Sequence, residues 1–484
     1  MYLGIDVGTS SVKAVLVDGH EHIVASASAA LEVTRPRPGW SEQEPDAWMR
    51  ALEHVLDELS ASHREALAAV EGMGLSGQMH GAVLLGADDK PLRPAILWND
   101  GRSEAECRLL EERCPRSREI SGNLAMPGFT APKLLWVAEH EPDVFARTRK
   151  VLLPKDYLRL FLIGDHVSEM SDAAGTLWLD VAKRDWSDAL LSATGLTREH
   201  MPRLVEGSES SGRLRPELAR RWGMHRAPVV AGGGGDNAAS AVGIGAVKPG
   251  AAFVSLGTSG VLFVSNARFS PNTEGAVHAF CHAVPRTWHQ MGVILSAAAS
   301  LEWLSALLGE PAPSLIAAVG ERVRAPSPVK FLPYLSGERT PHNDAGARGA
   351  FVGLAHGDGR EALTQAVMEG VAYAVADCMR VLADAGTRVE RASAVGGGSR
   401  SPLWLKILAS VLDRPLDVHA EGDFGGAFGA ARLGRLAATG EDPFTLAVPP
   451  PVARVVEPDA ALVPRYAEEY ARWRRLYPAL RQER

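Results

Sequence analysis

Asp236 closes the run Ala231-Gly232-Gly233-Gly234-Gly235, which itself follows the apolar stretch Ala227 to Val230. Glycines between a strand and an acid let the backbone come close to something held there. A lone acid in that setting is a candidate to accept a hydroxyl proton. Asp6 stands two residues before Gly8-Thr9-Ser10, and the same tripeptide returns in the second half as Gly257-Thr258-Ser259. Both copies interrupt β-rich runs, so each reads as a hairpin tip built of glycine and small hydroxyl residues. Such tips bring N–H groups and hydroxyls up to a polyphosphate. One copy per half points to a duplicated domain with a nucleotide held between the halves. Asp6 would then lie near the phosphates. Mg²⁺ keeps several waters and takes few protein carboxylates, so a bound water would link it to Asp6.

A third glycine cluster, Gly396-Gly397-Gly398-Ser399-Arg400, follows the short apolar run Ala392 to Val395. Ser401 suits an N-cap and Pro402 the first helical turn, so the cluster presents N–H groups at a helix N-terminus, where anions bind. Other patterns are set aside. Gly72-Met73-Gly74-Leu75-Ser76-Gly77 matches GxGxxG, but it reads as a strand running into a further loop and strand. The dinucleotide fingerprint must leave a strand and open a helix. No Gly-Lys pair occurs, so there is no P-loop lysine. His278, His282 and His289 lack standard zinc spacing. Tryptophans such as Trp98, Trp136 and Trp303 are read as packing residues, with one or two free to line a sugar pocket.

The elements that position these residues follow from periodicity. Tyr2 to Val7 and Val12 to Val17 read as strands. Trp48, Leu52, Val55, Leu56 and Leu59 share one face of a helix opened by Pro45. Ala69 to Leu75 reads as a strand, followed by the loop Gly77 to Gly81. The second half is expected to begin at Lys248-Pro249-Gly250, giving domains 1–247 and 248–484. Its clearest helix is Glu361 to Ala385, with Leu363, Val367, Val371, Ala374 and Cys378 at spacings of three and four. A charged helix, Arg465 to Tyr477, is expected to be solvated and to stop at Pro478.

The composition, 46% hydrophobic and 23% charged over 484 residues, fits two globular domains. A net charge of -7 argues against nucleic acid or anionic membrane as partner. No apolar run reaches the ~20 residues of a membrane span, and no signal peptide is read at the N-terminus. Cys107, Cys114, Cys281 and Cys378 form no CxxC pair, which suits reduced thiols and a cytoplasmic location.

The two Gly-Thr-Ser turns, the Gly-Gly-Gly-Ser-Arg loop and the glycine-preceded Asp236 resemble the FGGY family of carbohydrate kinases. The closer motifs, Ser76-Gly77-Gln78-Met79-His80-Gly81, Leu97-Trp98-Asn99-Asp100, Leu153-Pro154-Lys155-Asp156-Tyr157 and Gly337-Glu338-Arg339-Thr340-Pro341, resemble its ketopentose-specific members. The resemblance runs from Met1 to about Tyr477. It implies an α/β fold of two duplicated actin/hexokinase-like (ribonuclease H-like) domains with an ATP cleft between them. It implies ATP-dependent phosphorylation of the C5 hydroxyl of a ketopentose, D-xylulose. The alternatives are another sugar or polyol kinase of the family, or an ATP-switch protein of the same fold. By resemblance Asp236 is the base and Asp6 assists Mg²⁺. Met79, His80, Asp236 and Asn237 contact the sugar. Gly8, Thr9, Ser10, Lys13, Gly257, Thr258, Gly397, Gly398 and Ser401 serve the nucleotide. The expected partners are the ketopentose and MgATP, with a homodimer as the further assembly. Two positions depart from the family pattern. The glycine run before Asp236 is one residue longer, and Phe428 replaces a smaller aliphatic residue.

Overall fold

The computed structural model describes residues 1–420 and 425–481. Two mixed sheets repeat one plan. In the first, β1 (Tyr2–Val7), β2 (Ser11–Val17) and β3 (Ile23–Ala30) form an antiparallel meander. β4 (Gly72–Gly77) then pairs with β1 in parallel. β5 (Ser210–Arg213) forms the edge, antiparallel to β6 (Val229–Ala231), which lies parallel to β4. In the second, β7 (Ala252–Leu256), β8 (Gly260–Asn266) and β10 (Trp288–Ile294) form the matching meander, with β9 (His278–Cys281) added outside β10. β11 (Ala392–Val395) and β12 (Leu416–His419) continue in parallel from β7, and β13 (Val452–Val456) closes the edge. Both Gly-Thr-Ser triplets sit at the turn between the first two strands of a sheet, as the alternation around them requires.

The helices follow the apolar spacing. α1 (Pro45–Ser62) buries Trp48, Leu52, Val55, Leu56 and Leu59 against β2 and β3. Each such side chain contributes about 1.5–3 kcal/mol on leaving water. α2 (Pro154–Ile163), α3 (Met170–Ala174) and α4 (Asp236–Gly243) stand behind the cleft in the first half. α5 (Arg360–Asp384) buries Val367, Val371, Ala374 and Cys378 in the second core. α6 (Pro402–Leu412) is capped by Ser401, whose hydroxyl accepts the Trp404 N–H at 3.2 Å.

α7 (Gly426–Thr439) comes from the second half of the chain yet packs on β1 and β4 of the first sheet and against α4. The approach is backbone to backbone. A Cβ at Gly4 would stand 1.8 Å from the Ala427 carbonyl oxygen, and one at Gly74 would stand 1.9 Å from that of Ala430. A Cβ at Gly72 would likewise stand 2.2 Å from the Gly434 carbonyl oxygen, so Gly72 and Gly74 of the GxGxxG pattern serve helix–sheet contact. Phe428 is buried in this helix beneath the Arg432 guanidinium, its ring centroid 4.9 Å away.

The C-terminal expectation is corrected. The helix there, α8 (Val463–Trp473), ends before Pro478, which lies inside a second short helix, α9 (Leu476–Arg481). Proline is tolerated there because the N–H groups of a first turn have no intrahelical partner. Nor is the segment solvated all round: Tyr466, Trp473 and Tyr477 are buried in the second core, and the Trp473 indole donates to the Phe331 carbonyl at 2.7 Å. Charge along the surface face concealed this aromatic stripe. The strand read at Ala69 to Leu75 also begins later, at Gly72, after a short helix Arg64–Ala68.

Candidate active site

The strand ends and hairpin tips of both sheets face a cleft between the halves. One cavity there has a volume of about 300 Å³. Met79, His80, Trp98, Phe129, Asp236 and Asn237 line it from the first half, and Gly257, Thr258, His278 and Arg339 from the second. An adjoining cavity of about 820 Å³ is walled by Ser240, Phe253, Gly396, Gly397, Ser399, Arg400 and His419. Asn237 and Ser255 line both, so the two spaces meet beside Asp236.

Asp236 is the first residue of α4. Its Oδ1 accepts the Asn237 backbone N–H at 2.7 Å and the Asn237 side-chain amide at 2.9 Å. Burial lifts its pKa to about 6, and the charge of Asp6 pushes the same way, outweighing the two bonds. The extended glycine run is fully used. Side chains at Gly232 and Gly233 would strike the carbonyls of Glu206 and Leu75 at 2.3 and 2.1 Å. Asp6 is the penultimate residue of β1, opposite Lys13 on β2 and Ser76 on β4. A Cβ at Gly426 would lie 2.8 Å from its Oδ1 and 2.5 Å from the Ser76 hydroxyl, so α7 starts directly against this carboxylate.

His80 is held in the left-handed backbone region, φ 69°. Its Nδ1 lies 2.6 Å from the Gly175 carbonyl, and its ring packs edge-on against Phe129 at 4.7 Å. Burial drives its pKa down to about 3, so the imidazole is neutral. With Nδ1–H donated to Gly175, Nε2 is left as an acceptor. The His80 carbonyl is pinned by Lys133 Nζ at 2.8 Å and by the Thr130 hydroxyl at 3.1 Å. Burial also lowers the Lys133 pKa to about 7.

The first hairpin tip is tied down by side chains. The Thr9 hydroxyl donates to Gln78 Oε1 at 3.1 Å and accepts the Trp98 indole N–H at 3.0 Å; Gln43 holds the Thr9 carbonyl at 2.7 Å. In the second tip, the carbonyls of Gly257 and Thr258 accept the N–H groups of Ala298 and Ala297 at 2.8 and 2.9 Å. That fixes the loop and leaves its amides and the Thr258 side chain on the cavity wall.

Of the residues named from sequence, Met79, His80, Asp236, Asn237, Gly257 and Thr258 meet around the smaller cavity, and Gly397 lines the larger. Asp6, Gly8, Thr9, Ser10 and Lys13 belong to the adjacent first hairpin and line neither. Gly398 and Ser401 do not line them either. Gly398 is buried under Leu256, and the Ser401 hydroxyl accepts the Trp404 N–H as the α6 cap. Sequence reasoning missed Phe129 and Arg339, and read His278 as structural. Arg339 is desolvated, which lowers its pKa, and its guanidinium lies 3.4 Å from His278 Nε2. A charged pair inside the glycine- and proline-rich stretch around 337–341 was the available signal. His282 and His289 sit deeper, His289 stacked on Phe263 and His282 edge-on to it.

Comparison with known proteins gives a consistent result. Residues 1–243 match the N-terminal domain of the FGGY family of carbohydrate kinases, and residues 252–438 match its C-terminal domain. The chain is 52% identical to the xylulose kinase of Escherichia coli K12 and 51% identical to that of Klebsiella pneumoniae, in each case across 99% of both chains. A solved structure described as a xyloylose kinase from Brucella ovis superposes with a TM-score of 0.98 at 58% identity, covering all of both chains.

Proposed function

Because the chain belongs to the FGGY family of carbohydrate kinases, we propose that it transfers the γ-phosphoryl group of ATP to the C5 hydroxyl of D-xylulose. One observation carries the reading: Asp236 and Asn237 stand where a sugar-sized cavity meets a larger, glycine-lined one. The relatives named xylulose kinase support the choice of sugar.

In this reading ATP occupies the larger cavity, with its phosphates running past Gly397 toward the Thr258 tip. The ketopentose fills the smaller one. The neutral His80 accepts a sugar hydroxyl at Nε2, while Asn237 and Arg339 donate to sugar oxygens. Met79 and Phe129 cover the carbon faces. Asp236 accepts the C5 proton. A carboxylate near pKa 6 cannot deprotonate an alcohol in advance. It works late, as the new P–O bond forms and the hydroxyl turns acidic. Positioning and charge neutralisation then carry most of the barrier reduction, and the base about 10²–10⁴ in rate.

The residues present fit Mg²⁺. Asp6 is a single carboxylate near the end of β1, opposite Ser76 on β4, and Gly426 lets the start of α7 lie directly against it. A water-bridged Mg²⁺ needs few protein ligands of that kind. When bound, it neutralises phosphate charge. The four cysteines are buried free thiols, which supports a cytoplasmic location; no helix of the described residues is long and apolar enough to cross a membrane. A homodimer is the assembly we assign.

Coupled ADP release measured across D-xylulose, D-ribulose, xylitol and deoxy analogues tests the reading. D-xylulose is expected to give the highest kcat/KM by at least tenfold. Preference for another substrate overturns the sugar assignment, and no sugar-dependent release overturns the kinase assignment.

A further inference from the structure

Behind the glycine run lies a cluster of ionisable side chains with no exposure: Lys155, Asp156 and Arg159 on α2, then Glu169 and Asp172 around the start of α3. Burying charges is costly, and a cluster of this kind is retained only where each member is partnered. Lys155 Nζ bridges Asp156 at 2.8 Å and Asp172 at 2.9 Å, with Glu169 at 3.4 Å. Burial raises the Asp172 pKa to about 8.

The cluster makes two direct bonds to the loop that carries Asp236. Arg159 donates one nitrogen to Asp156 at 2.6 Å and to the Val167 carbonyl at 2.8 Å, and its other terminal nitrogen to the Gly232 carbonyl. The Ser171 hydroxyl accepts the Gly235 N–H at 3.0 Å while donating to Glu169. Glu169 also caps α3 through the N–H groups of Ser171 and Asp172, at 2.7 and 2.8 Å. The residue after α3 is Gly175, whose carbonyl holds His80.

We propose that Arg159 and Ser171 are positioning residues that grip both ends of the Gly232–Gly235 loop and so set the place of the Asp236 carboxylate. This rests on the assignment of Asp236 as the base. Glycine has no side chain to anchor a loop, so four in succession leave the path of the backbone to be fixed from outside. Backbone bonds supply part of that frame, from the Gly232 and Gly233 N–H groups to the Glu209 and Gly207 carbonyls and through the pairing of Gly234–Gly235 with Ser76–Gly77; the two grips are its side-chain part, at the first glycine through its carbonyl and at the last through its N–H. The same cluster, through α3, fixes the His80 ring, so base and sugar wall share one foundation.

The test uses the full-length enzyme with D-xylulose and MgATP. Ser171→Ala removes one grip and touches neither cavity. A displacement of about 1 Å costs up to about 10² in rate, so kcat is expected to fall 10- to 100-fold. KM for D-xylulose and Kd for MgATP should stay within twofold. Amide hydrogen exchange should rise at Gly235 and not across the rest of the first sheet. Arg159→Lys keeps a buried cation but cannot hold Gly232 and Asp156 together. It is read in the same way, and carries the test if Ser171→Ala does not yield folded protein. Wild-type kcat with unchanged exchange at Gly235 overturns the proposal. Asp236→Asn is run beside them. Full activity in that variant overturns the base assignment instead, whereas an inactive Asp236→Asn beside a fully active Ser171→Ala overturns only the clamp.

Discussion

The Trp98 indole N–H and the Thr9 hydroxyl are joined at 3.0 Å, and that hydroxyl spends its own proton on Gln78. Thr9 therefore has no hydroxyl proton left for a phosphate, and the first tip offers its backbone N–H groups and the Ser10 hydroxyl. Thr258 sits on the cavity wall at the second tip. Thr258→Val should weaken MgATP binding about tenfold by calorimetry, with the sugar KM little changed. Thr9→Val should change the MgATP Kd less than threefold, but shift Trp98 fluorescence. Equal losses in the two variants would remove this distinction between the tips.

The acid limb of activity belongs to Asp236. Burial and Asp6 hold its pKa near 6, above the ordinary ~3.9 of an aspartate. Only the ionised form accepts a proton, so kcat should fall as pH drops through about 6. Replacing Asp6 by Asn should lower the Asp236 pKa, read directly by carboxyl ¹³C shifts in the ligand-free enzyme. No movement of that titration would deny the coupling.

Stability follows the same group with the opposite sign. The native state binds the Asp236 proton more tightly than the unfolded chain. Its contribution is fully present below about pH 4 and lost as pH rises through 6. Asp236→Asn should therefore be inactive yet more stable at pH 7, on the order of 1–3 kcal/mol. Thermal melts at pH 4 and pH 7 check this: the gain should shrink at the lower pH.

His80 and Arg339 face the sugar cavity from opposite halves. His80→Ala should raise the D-xylulose KM tenfold or more and blur discrimination against deoxy analogues, because a site built to bond hydroxyls rejects ligands lacking them. Arg339→Met should raise the same KM and leave the MgATP Kd alone. Unchanged sugar profiles in both would assign these side chains to packing.

A sugar cavity walled from both halves also implies closure on binding, since a ligand touching both favours the closed state. Solution scattering should show a smaller radius of gyration with D-xylulose and a non-hydrolysable ATP analogue. Slow ATP hydrolysis without sugar should give way to transfer when sugar is added. Superimposable scattering curves would count against closure.

The hairpins, the strand Ala392 to Val395 and the helix faces were legible because each rests on local spacing, and the Gly-Thr-Ser repeat disclosed the duplication. What was hidden depends on distant partners. Nothing near Arg339 says that its guanidinium reaches the space behind His80. Ser401 looked equally fit for cap and phosphate, and its hydroxyl accepts the Trp404 N–H as a cap. The stretch after Arg465 carried charge at most surface positions, which outweighed Tyr466 and Trp473 in a composition-based reading. Gly72 and Gly74 resembled a cofactor fingerprint because close approach to a helix and to a pyrophosphate make the same demand of the backbone.

That close approach also governs how the chain is made. The sheet bearing Gly4 and Gly74 leaves the ribosome long before α7, the helix that covers it. Domains usually fold in order of synthesis, but here the first sheet keeps a bare backbone face until nearly the whole polypeptide has emerged. A fragment ending at Val247 should accumulate as an aggregation-prone species. Supplied with the complementary fragment, it should recover as a non-covalent pair, because the missing lid arrives in trans.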